Sequence, residues 1–221
     1  MHIGILGLAI AILLIILYYI LNRHFTGITY FKYDSTLKES SIEIPPSDII
    51  NGETTEFAYS MWIKMDKWQK NGEYILFDRI SEMKLYLYDS ALRIDTSYND
   101  KDKGITLMDN FPLHKWIYLA FSVRKSNATS KYSILDFYVD GKLLKSMKIS
   151  SINPSNAYGI TLGNGVGESR IVGLQRWKYP ATPYLVISEY NKSNKLQSSV
   201  DYGAELNIFK DSKLANNIVI Y

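Results

Sequence analysis

Carboxylates are the first residues here that could do chemistry, because cleavage of a glycosidic bond requires two of them, one on each side of that bond. Acidic residues two or three places apart along a strand would supply such a set. Each of four glutamates instead stands without an acidic neighbour at that spacing: Glu73, Glu82, Glu168 and Glu189. We therefore predict that the protein is not an enzyme and has no catalytic residues.

One polar loop carries the strongest candidates for metal ligands. Asn99, Asp100 and Asp102 have side-chain oxygens of the kind that calcium prefers. Lys101 and Lys103 alternate with them and would repel a cation, and the spacing does not fit the EF-hand pattern. We favour a solvated loop, and predict neither a metal nor a cofactor, with calcium at this loop as the alternative.

Other polar motifs exclude further kinds of site. The sequence has no cysteine, and its three histidines, His2, His24 and His114, do not have the spacing of paired zinc ligands. The glycine-rich segment 163–169 lacks the lysine of a phosphate-binding loop, and a strand is predicted after it. With 25 basic and 22 acidic residues mixed along the chain, there is no basic stretch for nucleic acid.

The element that positions everything else is the apolar stretch from Ile3 to Leu21, which has neither a charged residue nor proline. About twenty helical residues span the hydrocarbon core of a bilayer, and an amphipathic soluble helix would show a polar stripe. We predict a transmembrane anchor over residues 1–22; a signal peptide is the alternative. Its lipid-facing positions include Ile3, Leu6, Leu13, Leu17 and Leu21.

Basic residues near the anchor predict its orientation. Arg23, His24, Lys32 and Lys38 follow it, whereas only His2 and the amino terminus precede it, so the positive-inside rule places the following domain in the cytosol. Asn127 and Asn191 begin formal glycosylation triplets. Glycan on either residue would indicate the opposite, lumenal orientation.

Short alternating runs separated by turn residues predict that the remainder is built from strands. Phe57–Met65 and Trp116–Val123 alternate most clearly, with Phe57, Tyr59, Met61 and Ile63 facing the core in the first. We predict a stalk or first edge strand over 23–40, a β-sandwich over 41–190, with Tyr184–Tyr190 as a further strand, and a tail over 191–221 that adds an edge strand.

The dipeptide Asp140-Gly141 predicts a two-residue hairpin turn, because both central residues of such a turn need positive φ. This turn would place Phe137 opposite Leu144 and Asp136 opposite Lys145. One face would then carry four apolar residues, Ile134, Tyr138, Leu143 and Met147. We predict either that another strand or loop covers this face or that it docks a partner, the first being favoured.

Five segments in series resemble a concanavalin A-like lectin/glucanase domain of the laminin-G type: Ile42–Asp48, Glu56–Lys64, His114–Val123, Leu135–Lys142 and Ile160–Asn164. The resemblance covers roughly residues 28–190. It implies an all-β fold, an antiparallel β-sandwich of the concanavalin A-like jelly-roll type, here preceded by one transmembrane α-helix.

The combination of this domain with an N-terminal anchor is similar to membrane-anchored virion proteins of large DNA viruses. That resemblance implies a non-enzymatic protein that tethers an internal virion membrane to the capsid above it, with the lipid bilayer and capsid proteins as partners. The alternative is a lectin-like receptor on a cell or virion surface that reads glycans through aromatic residues at loop edges. Trp62, Trp68 and Trp177 are candidates for stacking on sugars; Trp62 is predicted in a strand interior, where simple packing of its indole is the alternative.

Overall fold

The structure is a computed structural model that describes residues 7–8, 10–18, 28–29, 35–38, 41–49, 51–67, 72–96, 104–126, 131–164, 167–198, 204–210 and 213–220. Of the predicted anchor, residues 7–8 and 10–18 are described and are helical (α1). Among the described residues, no helix combines the length and the hydropathy that a membrane crossing requires. Ile3, Leu6 and Leu21 lie outside the described residues, whereas Leu13 and Leu17 are exposed on α1.

Two antiparallel sheets form a sandwich, which confirms the predicted all-β fold. The seven-stranded sheet contains β1 (Ile28–Thr29), β2 (Ser35–Lys38), β4 (Phe57–Lys67), β9 (Trp116–Lys125), β10 (Tyr132–Val139), β11 (Lys142–Ser150) and β13 (Glu168–Trp177). Its order is β1-β13-β4-β9-β10-β11, and β2 also pairs with β13.

The six-stranded sheet contains β3 (Ile42–Ile44), β5 (Glu73–Arg79), β6 (Met83–Tyr88), β7 (Ala91–Asp95), β8 (Ile105–Met108) and β12 (Ile160–Leu162). Its order is β3-β12-β5-β6-β7-β8, and a single turn of 3-10 helix, Pro46–Asp48, follows β3. The described residues of the predicted stalk form β1 and β2, which pair with β13.

The main core lies between the two sheets and is built by residues that alternate along the strands. Phe57, Tyr59, Met61 and Ile63 of β4 are fully buried there, as the sequence pattern predicts. The inward residues of β9 and β6 meet them from the same sheet and from the opposite one. Burial of this many large apolar side chains is the main source of the stability of the sandwich.

The β10–β11 hairpin has the predicted turn but not the predicted register. Val139 pairs with Lys142, yet Phe137 pairs with Lys145 and Asp136 pairs with Ser146. Leu144 has no partner and forms a β-bulge, which shifts all later pairs by one residue. The predicted Asp136–Lys145 pair is therefore wrong, because the prediction assumed regular pairing on both sides of the turn.

The segment predicted as a last strand is instead an α-helix, α2 (Pro183–Ser198). Thr182 caps it, since its side-chain oxygen accepts a hydrogen bond of 3.2 Å from the amide of Leu185, and Pro183 occupies the first turn. The prediction that the tail adds an edge strand to the sandwich is wrong. The described residues of the tail form a separate two-stranded sheet from β14 (Ala204–Lys210) and β15 (Lys213–Ile220).

Candidate binding surfaces

The outer face of the seven-stranded sheet is buried beneath α2, and we call it the helix-covered face. Its residues Ala58, Trp62, Tyr118, Ala120, Tyr138 and Trp177 form a second apolar cluster with Ala181, before α2, and Val186 of α2. The indole of Trp62 stacks on the ring of Tyr190 at 5.5 Å between centroids, and its Nε1 donates a 2.8 Å hydrogen bond to Ser193 Oγ. Trp62 and Trp177 are therefore packing residues and present no surface on which a sugar could stack, while Trp68 lies outside the described residues.

Four buried polar side chains, those of Arg79, Glu82, Arg176 and Tyr59, form an ionic cluster. Both arginines donate hydrogen bonds to the Glu82 carboxylate, Arg176 over 3.3 Å, and the Tyr59 hydroxyl donates to it over 2.7 Å. Arg176 Nε in turn donates to the Tyr59 oxygen at 3.0 Å. Burial raises the pKa of Tyr59 well above its usual value, so it remains a hydrogen-bond donor at neutral pH.

This cluster holds loops rather than a reacting molecule. Arg176 also donates to the carbonyl of Asn51 and the hydroxyl of Thr54, each over 3.1 Å, and Arg79 donates to the carbonyl of Ser155 over 3.1 Å. Glu82 is thus fully engaged by its neighbours inside the core and is not positioned as a general acid or base. The ionic cluster joins the loop of Asn51 and Thr54 and the loop of Ser155 to strands of both sheets.

A groove of about 540 Å³ opens where the β10–β11 hairpin meets α2, and we call it the hairpin–helix groove. Leu143 and Leu144 are 52% and 51% exposed on its strand side, and Ile187 is half exposed on its helix side. Tyr184, 81% exposed, lines the adjoining part of α2. The bulge at Leu144 explains why two consecutive leucines are both exposed, a signal present in the sequence as Leu143-Leu144 within an alternating strand.

The four residues predicted to share a docking face are divided among three environments. Met147 packs against the main core, Tyr138 is buried in the helix-covered face, and Ile134 is half exposed. Only Leu143 lines the hairpin–helix groove. The prediction of a common face is wrong because the bulge moves Met147 to the inner side, opposite Leu135.

The outer face of β5, β6 and β7 carries charged and aromatic residues, and we call it the polar face. Its members alternate with core residues and comprise Glu73, Asp78, Lys84, Tyr86, Tyr88, Arg93 and Asp95. Lys84 Nζ lies 2.7 Å from Glu73 Oε2 and 4.8 Å from the ring centroid of Tyr86. The Arg93 guanidinium lies 5.0 Å from the ring centroid of Tyr88, which is 38% exposed.

Several groups on the polar face have unusual electrostatics. Tyr86 donates a 3.1 Å hydrogen bond to Asp95, and burial, with Asp95 beside it, raises the pKa of Tyr86 to about 12. Burial also raises the pKa of Asp78, opposed by the charge of Lys84. Asp78 Oδ1 and Arg93 Nε are buried atoms for which the described residues supply no hydrogen-bond partner. The face thus combines preordered side chains with unsatisfied polar atoms.

Other predicted sites have simpler placements. Asn99, Asp100 and Asp102 lie outside the described residues, and the described part of the chain has no cluster of three or more metal-binding side chains. His114 lies in a turn with φ of 56°, and its amide donates a 2.7 Å hydrogen bond to the carbonyl of Met65. A strand, β13, and not a helix follows the glycine-rich segment, as predicted.

Solved structures with a similar fold include three that concern botulinum neurotoxins. They are the type G receptor-binding domain (16% identity, TM-score 0.56, 77% of this chain and 45% of that one), the type DC binding domain in complex with rat synaptotagmin II (17%, 0.55, 82% and 47%), and a structure described as showing that type C cell entry depends on two ganglioside molecules (17%, 0.55, 84% and 47%). The chain therefore spans less than half the length of these structures.

Among curated proteins, no sequence matches this chain significantly. A family model does match, over residues 36–175, and its description is the concanavalin A-like lectin/glucanases superfamily. The matched span begins in β2 and ends in β13, so it contains the strands of both sheets. The chain belongs to the concanavalin A-like lectin/glucanases superfamily.

Proposed function

We propose that this protein is a non-catalytic binding protein that is held at a membrane and contacts a protein partner through the polar face. The observation that carries the proposal is the preordered pair of Tyr88 and Arg93, with Lys84 held over the buried ring of Tyr86, on the outside of the six-stranded sheet. Tyrosine and arginine are the residue types that most often dominate protein–protein binding energy.

The order of these side chains suits them to recognition. Arg93 is held against Tyr88, and Lys84 is held between Tyr86 and Glu73, so little side-chain entropy remains to be lost on binding. Charges of both signs lie close together on this face, which favours a partner surface that also carries both signs.

The membrane part of the proposal rests on the apolar segment Ile3–Leu21. Residues 10–18 of α1 present large apolar side chains on all sides of the helix, including Leu13, Ile15 and Tyr18, and each of these is exposed. Such a surface is unfavourable in water and suits lipid. Residues that follow the anchor are basic, so we place the sandwich on the cytosolic side.

Together these features make a tether. The anchor fixes the sandwich at the membrane and the polar face contacts a protein lattice, such as a viral capsid above an internal membrane. Many copies held close to one lattice would bind well even when each contact is weak, because anchoring raises the local concentration.

Deletion of residues 3–21 tests the membrane part. The deletion variant should leave the membrane fraction and keep the circular dichroism and thermal unfolding of a folded β-sandwich, since the core between the sheets contains none of these residues. Continued membrane retention of the deletion variant would contradict the proposed anchor.

Glycan recognition is the second candidate function, favoured by the similar fold of the type C neurotoxin structure, for which interaction with two ganglioside molecules is described. Arg93, Asp95 and Tyr88 are residue types that hydrogen-bond and stack on sugars. A glycan array probed with the full chain in detergent would separate the two functions: the tether predicts no sugar binding, and binding lost in Arg93→Ala would establish the lectin.

A further inference from the structure

The hairpin–helix groove is an apolar surface bordered by positive charge. Leu143, Leu144 and Ile187 supply apolar area, and the adjoining Tyr184 is the most exposed large aromatic side chain described in the sandwich and α2. Lys142 lines the strand side of the groove, and Lys192 lines the adjoining surface of α2 beside Tyr184.

The acidic residues nearest to the groove do not present negative charge to solvent beside these lysines. Asp140 accepts a 3.0 Å hydrogen bond from the amide of Tyr118, so its carboxylate is directed into the hairpin end of the sheet. Glu189 pairs with Lys192 at 2.8 Å, but its side chain is mostly buried while that of Lys192 is mostly exposed. The rim of the groove therefore presents ammonium groups to solvent.

We propose that the hairpin–helix groove docks on an anionic lipid surface. Leucine, isoleucine and tyrosine side chains enter the interfacial region of a bilayer, and lysines around them pair with anionic headgroups. A protein segment is the competing occupant, but exposed lysines on both the strand side and the helix side of the aliphatic residues fit a charged bilayer more closely.

The chain length between the anchor and the sandwich brings the groove within reach of the bilayer, and in this respect the inference rests on the proposed membrane anchor. Leu21 and Ile28 are seven residues apart, so the chain between them spans at most about 25 Å. Strand β11, which lines the groove, is five strand spacings from β1, a distance of about 24 Å across the sheet. If the sandwich lies with α2 toward the lipid, the connecting chain of about 25 Å and the distance of about 24 Å from β1 to β11 both allow the groove to contact the bilayer.

The test uses the full chain in vesicles, with a fluorescent probe on one introduced cysteine. Because the natural sequence has no cysteine, Leu143→Cys can be labelled at a single position with an environment-sensitive dye. In vesicles of phosphatidylcholine with about 30% phosphatidylserine, we expect the emission to shift to the blue and to be quenched by lipid-borne quenchers. Ile80→Cys, an exposed position in the turn between β5 and β6, is the matched control and should remain in water.

Charge reversal identifies the lipid contribution. Lys142→Glu with Lys192→Glu should abolish the blue shift at residue 143, whereas Lys131→Glu, an exposed lysine at the far end of β10, should leave it unchanged. Equal emission at residue 143 in vesicles with and without phosphatidylserine would overturn the proposal. A water-exposed probe in both kinds of vesicle would also overturn it, and would favour a protein segment as the occupant.

Flotation of the same vesicles distinguishes this inference from the proposed anchor. If the chain floats with the lipid while the probe at residue 143 stays in water, the anchor stands and the lipid-facing groove fails. If the chain does not float, the membrane part of the proposed function fails, and the inference fails with it.

Discussion

The two outer faces of the sandwich differ in what covers them. On the seven-stranded sheet, Trp62, Tyr118, Tyr138 and Trp177 are buried under α2 and form a second core. On the six-stranded sheet, Lys84, Tyr88 and Arg93 alternate with core residues, and Tyr88 is partly exposed. Aromatic residues on the first face therefore stabilise the fold, whereas Tyr88 on the second face has exposed area that can take part in recognition.

The burial patterns along the strands show the same difference. The first seven residues of β4 are all buried, which requires cover on both sides of the sheet. Strand β7 instead alternates between buried and half-buried residues, which is typical of a sheet with one face in solvent. An uninterrupted apolar strand in an antiparallel sandwich thus indicates a helix or loop over its outer face.

The largest contrast should come from removing an aromatic side chain on each face. Trp62→Ala should lower the free energy of unfolding by about 3–5 kcal/mol, because it leaves a cavity under α2. Tyr88→Ala, the matched change on the polar face, should cost less than about 1 kcal/mol because Tyr88 is already partly exposed. Denaturant unfolding measures both values, and similar costs would show that the polar face is also structural.

The ionic cluster lies between the faces and should matter as much as either to folding. Glu82→Gln removes the carboxylate that both Arg79 and Arg176 contact in the buried cluster, so we expect a loss of about 3 kcal/mol or more. Lys84→Gln, which breaks the partly exposed pair with Glu73, is the control and should cost at most about 1 kcal/mol. Urea midpoints that fall equally in the two variants would contradict a special role for the cluster.

A smaller effect should follow from loosening α2 without removing apolar contacts. Ser193→Ala deletes the acceptor of the Trp62 indole hydrogen bond and should cost about 1 kcal/mol, because the indole N–H lies at a part-buried position. Ser188→Ala, elsewhere on the same helix, provides the comparison. The rate of hydrogen exchange at the α2 amides should rise only in Ser193→Ala. An unchanged rate would show that this hydrogen bond does not stabilise α2 on the sheet.

The smallest effect concerns Asp78 on the polar face, whose pKa is raised by burial. A raised folded-state pKa means that Asp78 favours folding when protonated, below its ordinary value of 3.8, and that this contribution is lost as pH rises through the folded-state pKa. Asp78→Asn should therefore gain at most about 0.5 kcal/mol at neutral pH, with the gain disappearing near pH 4. A variant less stable than the natural protein at pH 7 would show that the Asp78 charge is well compensated.

The sequence predicts the strands and the main core, because local alternation sets them. A strand is predicted where α2 forms, because the apolar residues after Thr182-Pro183 suit a strand as well as a helix. The helix start signal of Thr182-Pro183 alone does not decide between them. The register of β11 depends on a bulge that no turn rule specifies. Arg176 and Glu82 are far apart in sequence, so only the folded chain reveals their pairing.

The central claim is that the polar face contacts a protein partner, and site-specific photocrosslinking in membranes of the cells that produce the protein tests it most directly. A benzophenone amino acid in place of Tyr88 should form one discrete protein adduct that is lost when Arg93→Ala is added. The same probe at Tyr158, an exposed tyrosine in the loop between β11 and β12, should not form that adduct. No adduct from residue 88, or the same adducts from both positions, would contradict the claim.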